Sequence, residues 1–160
     1  MKTGPVIAGN WKMHMTPDET RAFFQEFSFS PSAAKDPQFL IFPPYLSLGA
    51  ALEARPAHLL MSVGVQNLYW EATGAFTGEI SAPMARAAGA THTLIGHSER
   101  RHVFGESNEE VAWKVSAALD AGLVPVVCVG ETLEERREGR LEEVILGQLN
   151  AFITLLEENP

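Results

Sequence analysis

Apolar and polar positions along this chain alternate between two periods. Short apolar runs suited to strands are separated by stretches whose apolar residues recur at helical spacing. The first run, Val6 to Trp11, predicts a strand. Thr16-Pro17-Asp18-Glu19 then reads as a capping box with proline at the first helical position. A second strand, Phe39 to Phe42, is halted by Pro43-Pro44, and a short helix covers roughly Leu46 to Ala54. The third strand is Leu59 to Val65, followed by a polar, glycine-rich loop from Gln66 to Ile80. Ser81 and Pro83 open a third helix that Gly89 closes, and Thr91 to Ile95 is the fourth strand. A second capping box, Ser107 to Glu110, opens a helix that Gly122 ends. The fifth strand, Val124 to Val129, is nearly all apolar, as expected of a strand covered on both faces. Thr132 to Glu135 is a third capping box. A last helix then carries an apolar stripe of Leu141, Val144, Ile145, Leu149, Phe152 and Leu156.

This makes five βα units, which predicts an α/β domain with a parallel sheet and helices outside it. Two architectures compete: an open, flavodoxin-like sheet and a (β/α)₈ barrel, which typically needs ~250 residues. At 160 residues, length and alternation alone favour the open sheet, and nothing divides residues 1–160 into more than a single domain.

Composition adds limits. The chain is 46% hydrophobic and 20% charged, ordinary for a globular protein, with a formal charge of −8 at pH 7. That charge argues against nucleic acid and anionic membrane as partners. It does not forbid an anionic substrate, because charges beyond about 10 Å are screened and a lysine in a cleft dominates locally. The one cysteine, Cys128, allows no intrachain disulfide, which fits a reducing, cytoplasmic setting. The apolar run after Met1-Lys2-Thr3-Gly4-Pro5 is too short for a signal-peptide core, and no stretch reaches the ~20 apolar residues of a membrane helix.

Parallel strands end on one side of a sheet, and sites in both architectures sit there. Asn10 and Lys12 follow the first strand and share a face by strand alternation; His97 and Glu99 do the same after the fourth; Gly130-Glu131-Thr132 follows the fifth. Together these can bind a small anion and move protons: a fixed cation, an N–H donor, and a carboxylate as base or orienting acceptor. Singly, each has a structural reading. Lys12 could be solvated or salt-bridged, His97 a packing residue, and Glu99 a partner of Arg100 or Arg101. Other chemistry lacks support. There is no G-x-G-x-x-G or P-loop, and Ser98 lacks the second glycine of a nucleophile elbow. His92, His97 and His102 are not at ligand spacing, so no metal site is expected, and Cys128 reads as core.

Four segments resemble triosephosphate isomerases: Gly9-Asn10-Trp11-Lys12-Met13, Gly74-Ala75-Phe76-Thr77-Gly78-Glu79-Ile80-Ser81, Leu94-Ile95-Gly96-His97-Ser98-Glu99-Arg100-Arg101, and Cys128-Val129-Gly130-Glu131-Thr132-Leu133. Their order and approximate spacing also match. The resemblance reverses the preference drawn from length. It implies a (β/α)₈ TIM barrel, here cut to about five βα units. It also implies a cofactor-free isomerase of glycolysis and gluconeogenesis that interconverts dihydroxyacetone phosphate and glyceraldehyde 3-phosphate through an enediolate. By the same resemblance, Asn10 and Lys12 contact substrate, Lys12 offsets developing negative charge, His97 is the neutral electrophile, and Glu99 is a supporting carboxylate. Read from its position alone, Glu99 would be the general base. The family instead places the base after a sixth strand, beside a mobile lid, and draws its phosphate grip from later loops. The chain ends at Pro160, so those parts are expected to be absent and the chain alone inactive, poorly stable and aggregation-prone through its open strand edges. The resemblance further implies a homodimer when complete, with Phe76, Thr77 and Glu79 on the loop that enters a neighbouring subunit. His14 stands where the family often has asparagine. Two alternatives stand beside this: a non-catalytic α/β module that binds an anionic metabolite or a protein through the Lys12–His97 rim, and a half-barrel that works by pairing with a second chain.

Overall fold

Five strands pair side by side, all parallel, in the order β1 Val6–Asn10, β2 Gln38–Phe42, β3 Met61–Val65, β4 His92–Ile95 and β5 Val124–Val127. The computed structural model describes residues 4–30 and 36–157. The strand order decides the architecture. A doubly wound sheet reverses its order at a switch point and carries helices on both faces. Here the order never reverses, so each right-handed crossover returns its helix to the same face and the sheet curls as a half-barrel. The open sheet suggested by chain length is thereby corrected.

All three capping boxes form with both of their hydrogen bonds, and they open α1 Pro17–Glu26, α5 Asn108–Asp120 and α6 Leu133–Arg137. Between them lie α2 Leu48–Ala54, entered through a 3₁₀ turn at Tyr45–Ser47, α3 Ala82–Ala87, and α4 Ser98–Phe104. Beyond α6 come α7 Leu141–Asn150 and α8 Ile153–Glu157. The strand pattern makes no separate provision for α4, and the single last helix is in fact broken into pieces. Gly139, at φ 73, ends α6, which only glycine does without strain. The predicted stripe is only partly covered, with Phe152 buried and Leu141 46% exposed.

Strand alternation sends side chains to two cores. Phe39, Ile41, Met61, Val63 and Val65 face the helices, packing with Phe24, Leu48, Ala51, Val111 and Val115. Leu40, Phe42 and Leu94 form a smaller cluster on the concave face with Val126 and Cys128. Gly64 belongs to that face. A Cβ there would meet the Phe42 ring and sit 2.7 Å from the His92 carbonyl, so glycine is what lets Phe42 lie across β3.

Both outer strands present open edges, as expected of a barrel cut to five strands: among the described residues β1 pairs only with β2 and β5 only with β4. The β5 side chains are only partly buried, short of the full cover on both faces that their apolar run suggests. Val124 is 53% exposed on one edge and Val6 59% exposed on the other. Residues 158–160, toward which a sixth strand was expected, lie outside the described residues. Among the described residues, no helix is long and apolar enough to cross a membrane.

Candidate active site

β1 ends at Asn10, not at Trp11. Trp11 turns to the helix side, 5.1 Å from the Phe23 ring of α1, and its backbone N–H donates to the Phe42 carbonyl at 3.1 Å. Lys12 then adopts a left-handed backbone, φ 53, which costs a non-glycine residue of order 1 kcal/mol and persists only where neighbours enforce it. Two residues do so. The Asn10 Oδ1 accepts the Lys12 N–H at 2.9 Å, and Gln66 Nε2 donates to the Lys12 carbonyl at 2.8 Å and to the Phe42 carbonyl at 2.9 Å. The Lys12 side chain therefore reaches the rim through a locked turn, not through the strand alternation assumed from sequence. Its Nζ stands 2.8 Å from Glu99 Oε1.

His97 arrives in a similar way. β4 stops at Ile95, Gly96 turns with φ 69, and His97 becomes the N-cap of α4. Its Nδ1 accepts the Glu99 backbone N–H at 3.3 Å. A nitrogen that accepts carries no proton, so the neutral ring has its proton on Nε2, available to a ligand. The Glu99 carboxylate lies between the two cationic or polar groups, with Oε2 3.5 Å from His97 Nδ1.

Hydrogen bonding from Lys12 is the main cause that holds the Glu99 carboxyl below the usual range. Partial desolvation opposes it, and the charge of Lys12 assists it. Glu99 is thus ionised at neutral pH and committed to Lys12, a poor position for a general base and a good one for an anchor. The pair is about half-exposed, so it orients Lys12 more than it stabilises the fold. Because the folded value lies below the unfolded one, the contribution of this link is present above the ordinary carboxylate range and fades as pH falls through the depressed value. The carboxyl ¹³C resonance of Glu99 is expected to titrate at lower pH than a free surface glutamate, and to return to the ordinary range in Lys12→Met. An unchanged midpoint in that variant would mean that Lys12 does not hold the carboxylate.

A cavity of about 270 Å³ opens between α4 and the segment after β5, lined by His97, Ser98, Arg101, Cys128 and Glu131 among others. Glu131 is paired with Arg136 at 2.7 Å. Burial pushes the Cys128 thiol up, which keeps it protonated and unreactive, although it is only partly buried and not the full core residue expected. Among the described residues no group of three or more His, Cys, Asp or Glu side chains is gathered to hold a metal ion.

A family model described as triosephosphate isomerase matches residues 5–160. The chain belongs to the triosephosphate isomerase family. A triosephosphate isomerase of Solibacter usitatus is 47% identical over 154 residues, covering 96% of this chain and 61% of that protein. Those of Synechococcus sp. (strain JA-3-3Ab) and Dictyoglomus thermophilum are 44% and 41% identical, with 91% and 96% of this chain and 58% and 61% of theirs covered. This chain therefore spans about three-fifths of the length of the curated relatives it matches.

Of the residues singled out by resemblance to triosephosphate isomerases, Asn10, Lys12, His97 and Glu99 are linked by the contacts above. Phe76, Thr77 and Glu79 stand apart, exposed on the loop of residues 66–80, where the Phe76 ring lies 4.5 Å from Tyr69. Glu99 pairs with Lys12 and not with Arg100 or Arg101, the structural alternatives weighed from sequence. Residues not singled out from sequence turn out to shape the rim. Besides Gln66, the buried Gln148 of α7 makes a two-point clamp on Gly130, accepting its N–H at 2.8 Å and donating to its carbonyl at 3.0 Å. A glutamine in an apolar helical stripe was the available signal, since a buried amide demands partners.

Proposed function

We propose that this chain supplies the substrate-holding and electrophilic part of a triosephosphate isomerase, which interconverts dihydroxyacetone phosphate and glyceraldehyde 3-phosphate through an enediolate in the cytoplasm. The observation that carries this reading is the His97–Glu99–Lys12 contact set, in which Glu99 touches both the cation and the Nδ1 side of the imidazole. In the reaction His97 donates through Nε2 to the substrate oxygen that gains negative charge. Lys12 offsets that charge and the phosphate, and Asn10, whose Oδ1 is occupied by the Lys12 N–H, offers its amide N–H₂. No residue here requires a cofactor. Proton abstraction from carbon needs a base. Glu99 is held by Lys12 and Glu131 by Arg136, so neither is free for that task. The base and the phosphate grip then belong to the two-fifths of the family's length that these residues do not span, and residues 1–160 alone are inactive.

The same reading includes a homodimer of the complete protein. The exposed loop bearing Phe76, Thr77 and Glu79 supports it. So does an apolar hollow beside Lys12 that is rimmed by Met13, 93% exposed, and Leu46, 89% exposed. The alternative, a self-sufficient anion-binding module, calls for covered strand edges. The exposed Val6 and Val124 speak against it and favour poor stability and aggregation of the isolated chain. A coupled isomerase assay tests the proposal. The chain extended to the length of its relatives should turn over triose phosphate, and absence of turnover in a folded extended protein would refute it.

A further inference from the structure

Arg101 lies within α4, one turn past His97, and its guanidinium serves three segments at once. Nε donates to the Gly96 carbonyl at 2.8 Å, Nη1 to Asn108 Oδ1 at 2.7 Å, and Nη2 reaches the Cys128 carbonyl at 3.4 Å. Gly96 directly follows β4, Cys128 directly follows β5, and Asn108 opens α5. The fork therefore ties together the ends of two neighbouring strands and the start of a helix. All three acceptors are neutral. Among the described residues no carboxylate forms an ion pair with this half-buried guanidinium, a costly way to join loops, and desolvation lowers its proton affinity against the opposing charge of Glu106.

The backbone is shaped around this side chain. Gly96 sits at φ 69, and a Cβ there would lie 2.8 Å from Arg101 Nη2 and 3.2 Å from the Cys128 carbonyl. Glycine at that position admits the guanidinium, and the next residue is His97. The peptide that leads into His97 is thus fixed by Arg101 on one side, while Nδ1 is fixed by the Glu99 N–H on the other.

We propose that Arg101 is a positioning residue for His97: its fork fixes the Gly96 peptide and the Cys128 carbonyl, and so sets the orientation in which His97 holds its ring, with Nδ1 against the Glu99 N–H. A lysine cannot replace it, because one ammonium cannot span three acceptors in one plane. The proposal rests on the isomerase reading only for the use to which His97 is put.

The test uses the chain extended to the length of its relatives, with ¹⁵N-labelled histidine and no substrate. Two-bond ¹H–¹⁵N spectra report the tautomer of each histidine. In the parent chain His97 should show an unprotonated Nδ1 and a protonated Nε2. Arg101→Met and Arg101→Lys should both lose this single-tautomer signature while His58 and His92 keep theirs. Guanidinium ion added to Arg101→Ala should restore it. If the arginine variants do not fold, Asn108→Ala, which removes one acceptor and leaves Arg101 in place, should show partial averaging at His97 alone. A single-tautomer signature that survives in folded Arg101→Met or in Asn108→Ala would overturn the proposal. So would full recovery in Arg101→Lys, or uniform disturbance of all the histidines in Asn108→Ala. No substrate enters the measurement, so its failure and the failure of the isomerase reading remain distinct.

Discussion

Replacing His97 with glutamine, in the chain extended to the length of its relatives, is expected to lower kcat for triose phosphate isomerisation by about 10²–10⁴-fold and to change KM by only a few-fold. The reason lies in where the donor acts. With Nδ1 accepting the Glu99 N–H, the ring has one proton, on Nε2, and that proton is most valuable when the substrate oxygen bears the charge of the enediolate. Glutamine keeps a donor of similar reach but not the fixed direction that the α4 N-cap imposes on the imidazole. Lys12, as proposed, meets the substrate's charge in the ground state as well as in the transition state, so Lys12→Met should show the complementary pattern, with KM rising alongside a loss in kcat. Steady-state kinetics of the two variants separates these roles. A His97→Gln enzyme that lost affinity but kept its kcat would show that His97 only binds substrate.

The second large effect concerns stability. Lys114 on α5 is paired with Glu106 in the interior, their side chains 4% and 2% exposed. Lys114 Nζ also donates to Asn67 Oδ1 at 2.9 Å, and the Tyr45 hydroxyl donates to the Asn67 carbonyl. Burial pushes the Tyr45 hydroxyl up, so it remains a donor at any physiological pH. This network joins the loop after β3, the 3₁₀ turn before α2 and the two helices after β4. Lys114→Met leaves the Glu106 carboxylate buried with Arg100 Nε 3.6 Å away, and its Oε2 already has no hydrogen-bond partner in the protein. Removing one member of a buried pair typically costs about 3–5 kcal/mol, because the other charge is stranded, whereas replacing both by apolar groups is often near neutral. Urea unfolding should therefore show a large loss for Lys114→Met or Glu106→Leu alone and substantial recovery in the double variant. Equal losses that add in the double variant would mean that the two side chains are not energetically coupled.

Local features were legible in the sequence wherever chemistry is short-range. The capping boxes at Thr16, Ser107 and Thr132 satisfy orphan N–H groups within four residues, so their signal needs no tertiary context. Strand order was not legible from the pattern, because periodicity is blind to which neighbour a strand chooses; the family motifs supplied the barrel. The rim shows both sides. Lys12 and His97 were identified on the assumption of strand alternation, yet left-handed turns at Lys12 and Gly96 bring them together. The residues that enforce those turns, Gln66 and Arg101, act across 54 and 27 positions to the Lys12 and Cys128 carbonyls, beyond any local motif. Glu106 and Lys114 were invisible for a related reason: Glu106, in the segment between α4 and α5, meets Lys114 eight positions on within α5, a spacing that no local motif announces.

The most direct test of the account is a coupled isomerase assay run in parallel on residues 1–160 and on the chain extended to the full length of its relatives. Residues 1–160 should give background rates, because they hold the cation and the electrophile but their nearby carboxylates are occupied. The longer chain should show turnover that depends on Lys12 and His97. Near-normal turnover by residues 1–160, or turnover by the extended chain that survives loss of both Lys12 and His97, would contradict it.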